Sequence, residues 1–281
     1  MLNPLSVLKH PVLLSLYFIS SLAHAQNFSS AATDATGGAG RAAVDAGDVN
    51  YLNPAGLVHL RGRYVYSTFS KEDLSLSLSE ASREVVVPAS LSYFQRKVTD
   101  AANRKVQWQD TRLSLADFVT NKFSMGVTGI LSSVKIDGQG YNQTNGNLGF
   151  FYTPIDTVGI AYVFYNVFGV NEDVPEEVRL EPAMAVAMNY IYKGFLRFRL
   201  DIESAKNNNF GKPAYMTGIE SLLNQWVIFR VGYKNDILAS QELFTVGAGF
   251  SGPVFGLNYA YQGSIKGVDF DRHSIDLLFS F

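Results

Sequence analysis

Four stretches near the carboxy-terminal end decide the fold: WVIFRVGYK (Trp226–Lys234), LFTVGAGFS (Leu243–Ser251), VFGLNYAYQ (Val254–Gln262) and HSIDLLFSF (His273–Phe281). In the first, Val227, Phe229, Val231 and Tyr233 alternate with Trp226, Ile228, Arg230, Gly232 and Lys234. In the last, Ile275, Leu277, Phe279 and Phe281 alternate with Ser274, Asp276 and Ser280. A period of two is that of β-strands, whose successive side chains point to opposite faces. One face carries large apolar residues, and the other carries glycine, asparagine, arginine and aspartate, the inverse of a soluble sandwich. Such a sheet can close on itself with lipid outside and polar groups inside, leaving no unpaired backbone edge. The pattern predicts an all-β fold, a transmembrane antiparallel β-barrel.

Bulk composition decides little. The 281 residues are 47% hydrophobic and 17% charged with a formal net charge of −2, a balance that suits a soluble domain equally well. Zero cysteines exclude a disulfide framework, a cysteine metal site and a lipoprotein anchor. Near-neutral charge gives no electrostatic case for nucleic acid. At the start, Lys9, the apolar run Pro11–Ile19 and the small-x-small site Ala23-His24-Ala25 read as a signal peptide over residues 1–25, so the mature chain is expected to begin at Gln26 and to be exported. No later stretch offers about 18 uninterrupted apolar residues, so no membrane helix is expected. Strands of this kind then place the chain in the bacterial cell outer membrane. Its surroundings there would be outer-membrane lipid and lipopolysaccharide.

Residues 26–60 differ in kind. They are rich in Ala and Gly and end in Tyr51-Leu-Asn-Pro-Ala-Gly-Leu57, which argues for a compact segment with short helical turns and not for a membrane strand. The run GAGRAAVDAGDVNYLNPAGL resembles the amino-terminal region of the FadL superfamily of outer-membrane proteins, which includes long-chain fatty acid transporters and PorV-like proteins. Gly218-Ile-Glu220, Phe229–Tyr233, Gly247–Phe250, Leu257–Tyr261 and His273–Asp276 follow in an order similar to the PorV-like branch. This resemblance implies a fourteen-stranded barrel at 61–281 with residues 26–60 as a hatch in its lumen, Asn53, Pro54, Ala55, Gly56 and Leu57 among them. The terminal Phe279 and Phe281 resemble the signal read by the barrel assembly machinery.

From Arg61 onward, strands are expected near 61–69, 72–79, 84–97, 105–118, 122–136, 144–153, 157–167, 179–192, 195–204, 213–223, 226–236, 243–251, 253–263 and 271–281. The count is fourteen, or twelve if the Leu74–Leu78 run is a loop. Connections are expected to be short on the periplasmic side and longer outside.

Strand 195–204 sets Arg197, Arg199, Asp201 and Glu203 against Leu196, Phe198, Leu200 and Ile202. Glu181, Glu220, Arg230, Lys234 and Asp276 join them on inward faces. The plainer account is a set of interior salt bridges that keeps charge from lipid, where it would cost ~2–4 kcal/mol at midplane. The sharper account is a route in which Arg197, Arg199 or Arg230 meets a carboxylate head group. Glu172, Asp173, Glu176 and Glu177 crowd around Pro175 but match no ordered calcium loop, so a solvated outer loop is expected. No metal site and no cofactor follow.

Enzyme readings fare poorly. Only His59 and His273 remain in the mature chain, and His273 and Ser274 face opposite sides of a strand. No Gly-x-Ser-x-Gly or phosphate loop is present, so no catalytic residue is assigned. Tyr64, Tyr66, Phe69, Tyr190, Tyr192, Trp226, Tyr259, Tyr261, Phe279 and Phe281 are expected in interfacial girdles, with Trp226 and Tyr215 as inward candidates for a hydrophobic route. Strand glycines at 126, 129, 149, 159, 218, 232, 247, 249 and 256 are expected to permit bends or close packing of the hatch.

Two functions follow. The first is passive, hatch-gated passage of small hydrophobic or amphipathic compounds, as the resemblance to fatty acid transporters implies; the shorter outer loops here do not carry over fatty-acid specificity. The second is a PorV-like barrel whose rim docks an exported protein or a secretion machine. Passage predicts an apolar path beside the hatch, and docking predicts a filled lumen with an exposed apolar patch on the rim.

Overall fold

The computed structural model describes residues 28–100 and 103–281. The expected signal peptide, residues 1–25, and the start at Gln26 lie outside them. After a one-turn helix, α1 (Ala31–Asp34), and a 3-10 turn at Pro54–His59, fourteen strands follow. They are β1 (Gly62–Ser70), β2 (Asp73–Ala81), β3 (Ala89–Thr99), β4 (Lys105–Thr120), β5 (Phe123–Ile136), β6 (Gln139–Ile155) and β7 (Val158–Tyr165). The second half comprises β8 (Ala183–Tyr192), β9 (Leu196–Ala205), β10 (Asn209–Leu222), β11 (Val227–Asp236), β12 (Gln241–Ser251), β13 (Phe255–Lys266) and β14 (Asp271–Ser280). Each strand pairs antiparallel with the next, and β1 pairs with β14 from Tyr64↔Ser280 to Ser70↔Ser274, closing the barrel. No helix among the described residues is long and apolar enough to cross a membrane.

The Leu74–Leu78 run is strand β2, which settles the count at fourteen. Its leucines 74, 76 and 78 are exposed on the outer face, and Asp73, Ser75, Ser77 and Ser79 are buried within. Phe229 and Val231 on β11, and Ile275 and Phe279 on β14, continue the apolar belt.

Four strand starts differ from expectation by four residues or more, among them β8, which begins at Ala183 and not near 179. Strand β3 begins at Ala89 and not near 84, because Pro88 and the bends before it keep Val85–Val87 out of the sheet; Val86 is 92% exposed. Strand β6 begins at Gln139, so the long outer loop expected at 137–143 is a two-residue hairpin. Asp137 (φ 47°) and Gly138 (φ 90°) both take the left-handed conformation that such a turn requires. Strand β10 begins at Asn209, which shortens the expected 205–212 connection to a turn at Lys206–Asn208.

The predicted length asymmetry is therefore weaker than expected. At the end opposite the chain's last strand residue, the connections at 71–72, 137–138, 206–208, 237–240 and 267–270 are short, and only 166–182 is long. At the other end, 82–88 is the longest.

Candidate functional site

Residues 28–60 lie inside the ring of strands, and their core side chains are almost wholly buried, Phe28, Ala31, Ala35, Ala39, Ala55 and Leu57 at 0% exposure. They touch the lumen wall nearly all the way round. Six strand glycines make this approach possible. A Cβ at Gly126 would come within 2.5 Å of the Pro54 backbone, and one at Gly159 within 2.9 Å of the Ala42 carbonyl oxygen. Side chains at Gly149, Gly218, Gly232 and Gly247 would collide with Asn53, Thr36, Gly37 and Ala35. Gly249 and Gly256 face Asn258 and Leu278, and Gly129, on the outer face, meets nothing.

Polar contacts fix the segment on β9, β12 and β14. Asp276 Oδ2 accepts from the Ala32 N–H at 3.1 Å and from the Tyr66 hydroxyl. Thr245 Oγ1 accepts from Gly37 N–H and donates to the Ala35 carbonyl, both at 3.0 Å. Asp201 Oδ2 accepts from the N–H of Gly40 and of Arg41 at 3.0 Å. The Arg41 guanidinium completes this corner, with Nε donating to Tyr165 Oη at 2.7 Å, Nη1 to Asp201 at 3.1 Å and Nη2 to Glu203 at 2.6 Å.

The sequence-predicted lumen residues are thereby brought together. Glu220 meets Arg197 at 3.1 Å, Arg199 at 3.1 Å and Arg230 at 2.7 Å, three guanidiniums on one carboxylate. Arg199, Asp201, Glu220, Arg230 and Asp276 are all buried, and the Arg197 side chain keeps 29% exposure. Lys234 pairs with Asp236 at 3.8 Å. Buried groups of both signs at these distances offset most of the cost of removing charge from water. Sequence reasoning did not single out Arg41. The signal was there, a lone cation in a Gly/Ala run whose other charged residues are Asp45 and Asp48.

Asn53 closes the second half of the segment. Its Nδ2 donates to the Arg41 carbonyl at 3.0 Å and the Phe150 carbonyl at 3.3 Å, and its Oδ1 accepts from Ala55 N–H at 3.0 Å. The Ala55 carbonyl accepts from Ser124 Oγ at 3.0 Å, Gly56 lies beside Val49, and Leu57 packs with Val49, Leu60 and Tyr66. His59 stands 3.3 Å from Ser124 Oγ between Phe118 and Phe151; burial and nearby Arg61 hold its imidazole below the usual range. His273 faces outward and meets Tyr259 Oη at 2.7 Å, while Ser274 faces inward to Asp34.

Three aromatic assignments change. Tyr66 is buried in the lumen against Asp276 and not in a girdle, because it shares the inward parity of Thr68. Tyr215 is 42% exposed on the outer face with Ile219, since Ala214, Met216, Gly218 and Glu220 take the inward positions of β10. Trp226 precedes β11 and stacks on outward Phe250 at 6.2 Å, outside the alternation that sequence parity assumed. Neither lines an inner route.

The long connection 166–182 is more than a solvated loop. Val174 and Val178 are buried against Val106, Trp108 and Val134 on the inner faces of β4 and β5. Arg104 meets Glu177 at 3.3 Å. Strand β7 is short, so the upper edge of β6 is covered by this connection instead: Val167 N–H donates to the Gly146 carbonyl at 2.9 Å, and Gln143 bonds the Val178 carbonyl at 3.0 Å and the Leu180 N–H at 2.9 Å. Phe168, 73% exposed, lies over Gly146 on the outer face.

No family model matches the chain, and no curated sequence matches it. Solved structures do. The CymD monoaromatic hydrocarbon channel superposes with a TM-score of 0.68 at 13% identity, covering 90% of this chain and 97% of the channel. The toluene transporter TbuX of Ralstonia pickettii gives 0.68 at 12% identity over 91% and 99%. A FadL homologue of Pseudomonas aeruginosa gives 0.62 at 10% identity over 90% and 98%. At such identities the likeness speaks for architecture, and the architecture of this chain is the fourteen-stranded barrel of the FadL type.

Proposed function

We propose that the chain provides a passive route for small hydrophobic or amphipathic compounds across the outer membrane, opened by rearrangement of residues 28–60 as a hatch. The observation that carries this reading is the manner in which the lumen is occupied: a segment of small residues, seated on strand glycines and held by side-chain hydrogen bonds, with no strand pairing of its own to the wall. Such a segment can shift without breaking the barrel. The likeness to a monoaromatic hydrocarbon channel and a toluene transporter supports the choice of cargo. Lipid and lipopolysaccharide would contact the outward belt, and Phe279 and Phe281 would serve assembly.

Vesicle uptake tests it. The intact protein should admit hydrophobic solutes and exclude small polar ones, and deletion of Asn53–Leu57 should alter that selectivity. A second reading, a rim that docks an exported protein, draws on the filled lumen and on exposed Phe168 beside Val167 and Val170. It would be favoured if the intact protein passes nothing and only the deletion leaks.

A further inference from the structure

Buried polar atoms without a partner occur at several places on the lumen wall, and five of them fall on one patch beside an apolar cap. On β2, β4 and β5, cross-strand pairing groups five polar side chains, Ser77, Trp108, Asp110, Arg112 and Ser132: Ser92 of β3 stands between Ser77 and Arg112, Asp110 is opposite Ser132, and Trp108 is two residues before Asp110. All five are at least nine-tenths buried, Ser77 at 2%, Trp108 at 3%, and Asp110, Arg112 and Ser132 at 4% exposure. Arg112 pairs with Asp110 at 3.0 Å through Nη2 and Oδ2. The remaining atoms, Asp110 Oδ1, Arg112 Nε, Trp108 Nε1 and the hydroxyls of Ser77 and Ser132, have no hydrogen-bond partner among the described residues. Buried polar groups are normally paired, so five orphans on one patch call for a reason. Next to them sits an apolar cap, the Trp108 ring with Val106, Val134, Val174 and Val178. Tyr51 of the amino-terminal segment covers the other side, its ring 4.8 Å from the Arg112 guanidinium.

We propose that this polar floor and apolar cap bind a small amphipathic compound whose polar end is neutral, an alcohol or phenol hydroxyl. The site deepens the passage reading and rests on it for the route. Charge selects the ligand. Asp110 and Arg112 cancel, so an ionised head group gains no net attraction, and a carboxylate would face Asp110 Oδ1. A hydroxyl both donates and accepts, which matches the free acceptor Asp110 Oδ1 and the free donors Trp108 Nε1–H and Arg112 Nε–H. A bare hydrocarbon would leave them all unpaired, and a site built for hydrogen bonds discriminates strongly against such an analogue. The apolar remainder of the ligand would take the place of Val174 and Val178 over Trp108, so the 166–182 connection moves on binding.

The chain supplies its own reporter. It contains two tryptophans, and Trp226 is on the outer surface, so Trp226→Phe leaves Trp108 as the sole indole. The folded barrel in detergent would be titrated with benzyl alcohol, toluene and benzoate while Trp108 emission is followed. A saturable change with benzyl alcohol, about tenfold weaker for the other two, supports the site. Ser132→Ala, which removes a hydroxyl without breaking any internal bond, should weaken benzyl alcohol by about tenfold. No saturation, equal response to toluene, or an unchanged Ser132→Ala affinity overturns it. Vesicle uptake with the same variant separates the two readings: binding without uptake overturns passage alone, and uptake without saturable binding overturns the site alone.

Discussion

Arg41 and Asp201 meet twice at a single carboxylate oxygen, through the Arg41 backbone N–H at 3.0 Å and through Nη1 at 3.1 Å. Both side chains are almost fully buried, at 2% and 1% exposure. One residue of the wall thus holds the backbone and the side chain of the segment together.

Asp201→Ala should release that corner. Removing one partner of a buried ion pair costs about 3–5 kcal/mol when the other charge is left stranded; Arg41 keeps Glu203 at 2.6 Å, so the loss here should fall below that range. Barrel pairing is untouched, so resistance of the unheated protein to SDS unfolding should persist while leakage of small polar solutes and protease cleavage near Gly38 rise. Unchanged leakage together with unchanged cleavage would show that Asp201 is no latch.

Strand glycines offer a paired test. Gly218→Val places methyl groups into Thr36 and should displace the segment, again seen as leakage. Gly129→Val, on the outer face with nothing within 4 Å, should be silent or slightly stabilising through better β-propensity. Equal effects of the two would refute glycine as the seat of the segment.

The docked segment should respond to pH through Asp48. Burial, with help from neighbouring Asp45, pushes its carboxyl up to about 7, against the hydrogen bonds from Ser30 and Thr33 that pull it down. In a released segment the group returns to about 3.9. The docked form therefore binds the proton more tightly. Docking should strengthen as pH falls from about 7 toward 4 and weaken as pH rises through 7, by a few kcal/mol over the full window. Leakage measured between about pH 5 and pH 8 should increase with pH in the native protein and be flatter in Asp48→Asn.

Phe281 is 74% exposed, and its N–H donates to the Arg63 carbonyl at 3.2 Å. Its ring contributes little to the finished fold. Phe281→Ala should lower the amount of assembled barrel recovered from membranes while leaving the melting of the assembled fraction within about 1 °C, a shift that corresponds to a few tenths of a kcal/mol. A large drop in melting would make it a structural residue instead.

Legibility in the sequence followed the physics of the solvent on each face. Where one face meets lipid, as in Phe229-Arg-Val or Leu257-Asn-Tyr, alternation was sharp and the strands were found. Gln139–Gln143 reads as loop because Gly140 and Asn142 are not apolar on the outer face either; β6 there carries no lipid-facing apolar row to betray it. Val85–Val87 misled in the opposite sense, an apolar β-branched run broken only by Pro88. Charged residues at inward parity, such as Arg199 and Glu220, could be placed by counting alone. The partners of Arg41 could not, since Asp201, Glu203 and Tyr165 reach it only once the segment is seated inside the closed barrel, and the roles of Val174 and Val178 depend on how a seventeen-residue connection from 166 to 182 folds back.

The glycines that seat the segment have a second effect. Mid-strand glycine weakens a sheet by roughly 0.5–1 kcal/mol relative to alanine, so six of them withdraw roughly 3–6 kcal/mol from the cylinder itself. Wall and filling are therefore one cooperative unit in folding. A cylinder made without its filling would be a softer object, prone to collapse or local melting along β5–β7 and β10–β12, and not simply an emptied pipe. Pore size inferred from a protein stripped of residues 28–60 would then describe a different material from the one that the cell assembles.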